Sequence, residues 1–361
     1  MGREDLAGGL RLDENTESAF GGVEGNGATL DDVARAAGVS AATVSRCLNN
    51  PEIVRPVLKA KVEAAIRALD YVPHGAARSL ASRRSRMIGA IFPSLSSDLF
   101  GGALEALQNE VNRAGYTLVV ASSSYEVERE VEHIQKFLAA GVDALMLVGG
   151  ARGPEVYRAI QRKKIPYVLT WVSQAEGGHP CIGFDNEAAA HAVARHLLDI
   201  GHRRIAVISG ALADNDRAAA RVAGIEAALA DRGLKLEPGH IIECPFGLEE
   251  GRQAFRQVMA LEPRPTAVIC GSEPFAYGAI FESEALGLTV PQDVSVTGFD
   301  DMWLASHITP ALTTVRTPRE GIGAQAGRYL FAVLNGEEPM TPRPLGFELV
   351  VRDSTAPPRA P

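Results

Sequence analysis

The chain has 361 residues, too many for one ordinary domain and enough for two or three, with 46% hydrophobic and 22% charged residues as in soluble globular proteins. No run of ~18 apolar residues offers a membrane span. A net charge of −8 taken alone argues against a nucleic-acid partner, but its distribution along the chain points the other way. Residues 28–86 carry ten Lys or Arg against five acids, whereas 1–27 and 87–361 are both acidic. A small basic segment beside an acidic body is the charge pattern of a DNA-binding module with a separate control domain.

In chain order, residues 1–27 are Gly-rich and acidic, with no apolar run, and read as a disordered tail with no signal peptide. Leu30, Val33, Ala34 and Ala37 recur at helical spacing. Gly38-Val39-Ser40 then supplies a glycine turn and an N-cap serine, and a second short helix follows over 41–48. Helix, three-residue turn, helix is the spacing of a helix-turn-helix, and equally of a plain helical hairpin. From Met87 the pattern changes to eight short apolar runs, at 87–92, 117–121, 144–148, 166–170, 181–184, 204–209, 267–270 and 294–299. Amphipathic stretches such as 126–140, 186–201 and 218–233 separate them. Apolar strands alternating with helices predict parallel sheets covered on both faces, and eight strands predict two α/β lobes. The Pro-rich end from Asp353 is expected to be an unstructured tail, with no leucine heptad to join dimers.

The head carries Thr29-Leu-Asp-Asp-Val-Ala-Arg-Ala-Ala-Gly-Val-Ser-Ala-Ala-Thr-Val-Ser-Arg-Cys-Leu-Asn-Asn-Pro51, then Asp70-Tyr71-Val72-Pro73 and Ala76-Ala-Arg-Ser-Leu80. The body carries Gly201-His-Arg-Arg-Ile-Ala-Val207, Asn215-Asp-Arg-Ala-Ala-Ala-Arg-Val-Ala-Gly224, Val294-Ser-Val-Thr-Gly-Phe-Asp-Asp301 and Leu312-Thr-Thr-Val-Arg316. In these motifs, to about Arg352, the chain resembles the LacI/GalR family of bacterial transcriptional regulators. The resemblance implies an α+β multidomain protein: an N-terminal helix-turn-helix head and a two-lobed α/β periplasmic-binding-protein-like effector domain. It implies a helix-turn-helix domain over 28–73, a hinge helix and linker over 74–86, and an effector-binding and dimerisation domain over 87–352. Lobe one would comprise 87–184 and 316–343, lobe two 185–315 and 344–352, with a disordered tail at 353–361.

By the same resemblance Ala41, Ala42 and Arg46 face base edges. Arg46 has the forked donor that guanine accepts, whereas the alanines offer methyl contact alone. Ser40, Thr43 and Ser45 suit phosphate oxygens. Arg78 and Leu80 lie on a hinge segment of two turns, where a leucine wedges into the minor groove of operator DNA. Val44 and Leu48 read as core.

In the body, Arg221 and Asp300 are expected to hold an effector from neighbouring strand ends, with Ser272 where relatives place a longer polar side chain. Trp171, after the run at 166–170, either stacks on a sugar ring or packs between lobes. Arg217, and with it Arg319, at the cleft would favour an acidic ligand. The implied partners are operator DNA, a sugar or sugar-acid effector and a second copy of the chain, with no membrane. The four scattered cysteines fit reduced thiols of a cytoplasmic protein, with no disulfide framework, metal site or cofactor. An enzyme or a ligand-binding protein of the same two-lobed fold is the rival reading. No P-loop, nucleophile elbow or metal-spaced histidine set supports catalysis.

Overall fold

The computed structural model describes residues 28–72, 84–96, 98–339 and 341–359. The expected tail 1–27, most of the hinge, and with it Arg78 and Leu80, lie outside the described residues. The chain divides into two compact units, with the boundary between Arg83 and Arg84.

The first unit is three helices: α1 (Leu30–Ala37), α2 (Ala41–Asn49) and α3 (Pro56–Ala68). Thr29 caps α1 in a reciprocal box with Asp32, satisfying two of the amides a helix start leaves open. Gly38, at φ 64°, ends the helix in the left-handed region, where a side chain would be strained. Ser40 then caps α2, its hydroxyl accepting from the Thr43 amide at 3.2 Å. A small core of Val33, Ala34, Ala37, Val44, Val62, Ala65 and Tyr71 locks the three helices together, with Leu48 packed against it.

The second unit holds two parallel sheets. In the first, β1 (Met87–Phe92), β2 (Thr117–Ser122), β3 (Ala144–Val148), β4 (Tyr167–Thr170) and β5 (Cys181–Ile182) run in the order β2-β1-β3-β4-β5. In the second, β6 (Ile205–Ser209), β7 (Ile241–Glu243), β8 (Ala267–Cys270) and β9 (Ser295–Thr297) run β7-β6-β8-β9. Every residue of β3, β6 and β8 is buried, as strands covered on both faces must be. The crossovers are α4 (Gly101–Arg113), α5 (Val127–Ala140) and α6 (Pro154–Arg162) around the first sheet. Around the second they are α7 (Asn186–Asp199), α8 (Asp216–Ala230), α9 (Leu248–Met259) and α10 (Glu273–Ala285).

The chain returns to the first lobe through β10 (Thr314–Arg316) and α11 (Arg319–Leu334), which packs on α4 so closely that Gly323 meets the Ala103 backbone. An antiparallel strand, β11 (Glu348–Val350), pairs with β10.

Three features depart from the sequence expectation. Eleven strands form among the described residues where eight were expected, because β7, β10 and β11 are three residues long and carry no apolar run. The end of the chain is not a loose tail over 353–359. Ser354 is fully buried, exchanges bonds with the Val296 backbone, and receives the Thr313 amide at 2.8 Å. Residues 84–86, expected as linker, are held to the first lobe by Asp143, which accepts from the amides of Ser85 (3.1 Å) and Arg86 (2.8 Å).

Candidate functional site

In the first unit α2 presents one face to its neighbours and one to solvent. Val44 is fully buried, whereas Ser40, Ala42 and Arg46 are exposed, with Ala42 and Arg46 one turn apart on the same face. The Arg46 guanidinium has no partner among the described residues, so its five donors stay available. The Ser40 and Thr43 hydroxyls bond each other at 2.9 Å at the helix N-terminus, where backbone amides and the helix dipole favour an anion. The Ser45 hydroxyl accepts from Asn49 at 3.2 Å, and Ala41 is partly exposed beside it. The anchor Val44 of the second helix is thus buried, with Leu48 partly so, and its candidate base-reading side chains are not.

In the second unit the carboxyl ends of both sheets converge on one cavity of about 520 Å³, within the ~300–1,000 Å³ of small-molecule sites. Pro93, Ser123, Val148 and Trp171 approach it from the ends of β1 to β4, and Ser209, Cys244 and Ser272 from the ends of β6, β7 and β8. That is where open parallel sheets leave room for ligands, since the loops there diverge.

Contacts across this cleft draw the lobes together. Tyr125, after β2, stacks on Phe246, after β7, with ring centroids 5.3 Å apart. Asp216 Oδ2 accepts from the Gly150 amide at 2.5 Å. The Arg217 guanidinium lies against Gly149, where a Cβ would overlap it and where φ is 74°.

Of the sequence-predicted residues, Trp171, Arg217, Arg221 and Ser272 line the cavity. Trp171 is 1% exposed and packs edge-on against Phe100 and Phe92, so wall and packing roles coincide in one side chain. Its carbonyl accepts from Asn186 Nδ2 at 2.8 Å, and Asn186 Oδ1 in turn accepts from Arg221 Nε at 2.9 Å. Arg221 Nη1 donates to the Gly271 carbonyl at 2.5 Å, and its guanidinium sits 3.7 Å over the Phe299 ring. This chain of bonds sets Arg221 between Trp171 and the Gly271-Ser272 turn.

Asp300 differs from expectation. It is fully buried, its side chain bonded to the Thr317 hydroxyl at 3.3 Å, and is not among the residues lining the cavity. Burial raises its carboxyl above the usual range, opposed chiefly by the Arg221 charge. Its other carboxylate oxygen, Oδ2, is buried with no partner among the described residues. Arg319 is turned aside, toward Asp98 and the Asp301 carbonyl.

Glu273, beside Ser272, also faces inward. It accepts from Thr314 Oγ1 (2.8 Å), Tyr277 Oη (2.9 Å) and the Met302 amide (2.6 Å), tying α10 to the segments that follow β9. Burial nevertheless pushes this carboxyl up to about 8.

Sequence reasoning missed Arg152, whose buried side chain lines the cavity. It is held by Glu130 (2.6 Å) and by the carbonyls of Val148 and Gly149 at the end of β3. The signal was its position, four residues past a strand whose carboxyl end faces the cleft. Among the described residues no group of three His, Cys, Asp or Glu is placed to hold a metal ion. No helix among them is long and apolar enough to cross a membrane.

Residues 29–74 match the family described as bacterial regulatory proteins, lacI family, and residues 194–355 match the periplasmic binding protein-like domain. The HTH-type transcriptional regulator GntR of Pseudomonas aeruginosa is 35% identical over 330 residues, covering 91% of this chain and 95% of the relative. The HTH-type transcriptional repressor PurR of Erwinia tasmaniensis is 34% identical over 305 residues, covering 84% and 89%. Among solved structures, the lac repressor dimer bound to operator and the anti-inducer ONPF is similar at a TM-score of 0.79 and 28% identity. The match covers 91% of this chain and 99% of that one. These relatives are transcriptional regulators. A capped reading helix in one unit, a cavity at converging strand ends in the other, and likeness along nearly the whole length give one conclusion: the chain belongs to the lacI family of bacterial regulatory proteins, transcriptional regulators that bind operator DNA under the control of a small effector.

Proposed function

We propose that this protein is a cytoplasmic repressor that binds a palindromic operator as a homodimer and takes a sugar or sugar acid into the cavity between its lobes. The observation that carries the effector half is the convergence of seven strand ends on one cavity with Arg221 and Trp171 in its wall. For the DNA half, Arg46 reads a guanine and Ala41 and Ala42 touch bases only through methyl groups. Ser40, Thr43 and Ser45 hold phosphates. On the motif alone, Leu80 is assigned to the minor groove and Arg78 to the flanking phosphates. A two-helix reader covers only a few base pairs, so useful specificity needs two half-sites and a two-fold partner. Effector-binding residues are Arg221, Arg217, Trp171 and Ser272, with Asp300 acting through the Arg221 charge.

The test is a titration of promoter DNA from the gene's own neighbourhood at several salt concentrations, with sedimentation of the free protein. Log affinity should fall with log salt with a slope of at least about −4, at ~0.9 per phosphate neutralised, and the protein should sediment as a dimer. A flat salt response removes the DNA assignment, and a monomer at micromolar concentration removes the dimer.

A further inference from the structure

The Gly149-Gly150 turn after β3 is built so that one backbone group is left for the opposite lobe. The Gly149 amide donates to the Thr170 carbonyl at 2.9 Å, continuing the ladder between β3 and β4. Arg152, itself held by Glu130, donates to the Gly149 carbonyl, and Tyr157 Oη donates to the Gly150 carbonyl at 2.8 Å. These three groups are satisfied inside lobe one. The fourth, the Gly150 amide, reaches across the cleft to Asp216 Oδ2 at 2.5 Å.

Lobe two prepares the acceptor in the same way. Asp216 is the first residue of α8, where the open amides of a helix start favour a negative charge. Its other oxygen, Oδ1, accepts from the Arg217 amide at 2.9 Å and from Arg217 Nη1 at 3.3 Å, which fixes the carboxylate before the lobes meet. The Arg217 guanidinium occupies the space over Gly149 that a Cβ would take, and such a Cβ would also come within 2.7 Å of Asp216 Oδ1. A second contact closes the cleft beside this one, the stack of Tyr125 on Phe246. The turn that delivers Tyr125 has two successive non-glycine residues at positive φ, Ser124 at 53° and Tyr125 at 62°. Backbone of that kind persists only where its surroundings over-determine it.

We infer that Asp216 and the Gly149-Gly150 turn form a latch that holds the two lobes closed by protein contacts alone, which makes Asp216 a positioning residue for the cavity. Closure is then a property of the polypeptide, and a ligand enters by way of an unlatched state. A charge-assisted hydrogen bond between two groups already held in place needs little further ordering, so the closed arrangement stands without help from a bound molecule. The inference concerns how the lobes are held and is independent of which ligand the cavity takes.

The experiment is thiol labelling of the full-length, ligand-free protein with fluorescein maleimide, followed at each cysteine by peptide mass spectrometry. Cys244 lines the cavity, whereas Cys181 and Cys270 are buried in the sheets of lobe one and lobe two. A reagent of that bulk reaches Cys244 only while the lobes are parted, so the labelling rate reads the open fraction. Asp216→Ala should raise the Cys244 rate roughly tenfold or more, the factor for losing a hydrogen bond to a charged group. Cys181 and Cys270 should stay protected. Asp216→Asn keeps an acceptor oxygen and should recover most of the protection, and Gly149→Ala, which wedges the contact from lobe one, should act as Asp216→Ala does. Equal Cys244 rates in the wild type, Asp216→Ala and Gly149→Ala overturn the latch, as does an Asn variant as open as the Ala variant. Labelling of Cys181 or Cys270 that rises in step with Cys244 overturns it too, because it reads unfolding of a lobe in place of parting.

Discussion

Replacing Arg221 by leucine should do more than remove a ligand contact. The substitution takes donors from Asn186 Oδ1 and from the Gly271 carbonyl, and a buried acceptor left unpaired costs about 1–3 kcal/mol. It also takes away the positive charge that most opposes the burial of Asp300. Arg221 and Asp300 make no ion pair within 4 Å. A unit pair at that separation and an effective dielectric near 20 is worth about 4 kcal/mol, which is therefore a ceiling. We expect a coupling of about 1–3 kcal/mol, the usual range for residues sharing a network. The assay is a double-mutant cycle of Arg221→Leu, Asp300→Asn and the pair in urea, followed by tryptophan fluorescence. Both tryptophans, Trp171 and Trp303, lie in the second unit, so the signal reports that unit alone. Arg221→Leu alone should cost about 3–5 kcal/mol. The double variant should be more stable than the sum of the singles, because no buried charge is left uncompensated. Additivity to within ~0.5 kcal/mol would refute the electrostatic link between these residues.

Arg46→Ala should leave the head folded, since the guanidinium has no partner among the described residues. It should weaken operator binding by about 1–3 kcal/mol and relax the preference at one base pair, as read by competition among operator variants. Uniform weakening across all variants would make Arg46 a phosphate contact instead. Glu273 gives a pH dependence. Its carboxyl stands at about 8 against an ordinary 4.5, so the folded state holds the proton more tightly. Its contribution to stability is complete below about pH 4.5 and is lost as pH rises toward 8, at up to about 1.4 kcal/mol per unit. Glu273→Gln should flatten that slope in thermal melts between pH 5 and 8, and an unchanged slope would place the titration elsewhere.

Much of this protein was legible because continuous apolar runs can hardly be anything but buried strands: β3, β6 and β8 emerge where Ala144-Leu-Met-Leu-Val148 and its counterparts predict them. The caps at Thr29 and Ser40 and the turn at Gly38 were equally readable, since each needs a particular residue type at a fixed offset. β7, β10 and β11 were not, being short and partly exposed, so that pairing partners and not composition decide their conformation. The end of the chain misled because its prolines suggest disorder, whereas one serine, Ser354, captures backbone groups of Val296 and Thr313. In the cavity, motif position placed Arg221 and Ser272 correctly in the wall. It could not show that Asp300, at φ 109°, lies outside the lining, because that depends on where Thr317 brings its hydroxyl. Nor could it show Trp171 joining wall and core, since residue type alone suits either role.

The central claim is that one small molecule in the cavity controls operator affinity, and thermodynamic linkage tests it most directly. The effector's affinity should be measured calorimetrically for the free protein and again for the protein saturated with operator. The ratio of the two must equal the ratio of operator affinities with and without saturating effector, with a factor of roughly 5–150 for a coupling of ~1–3 kcal/mol. Equal effector affinities in both states, with the ligand shown to occupy the cavity, would contradict the account.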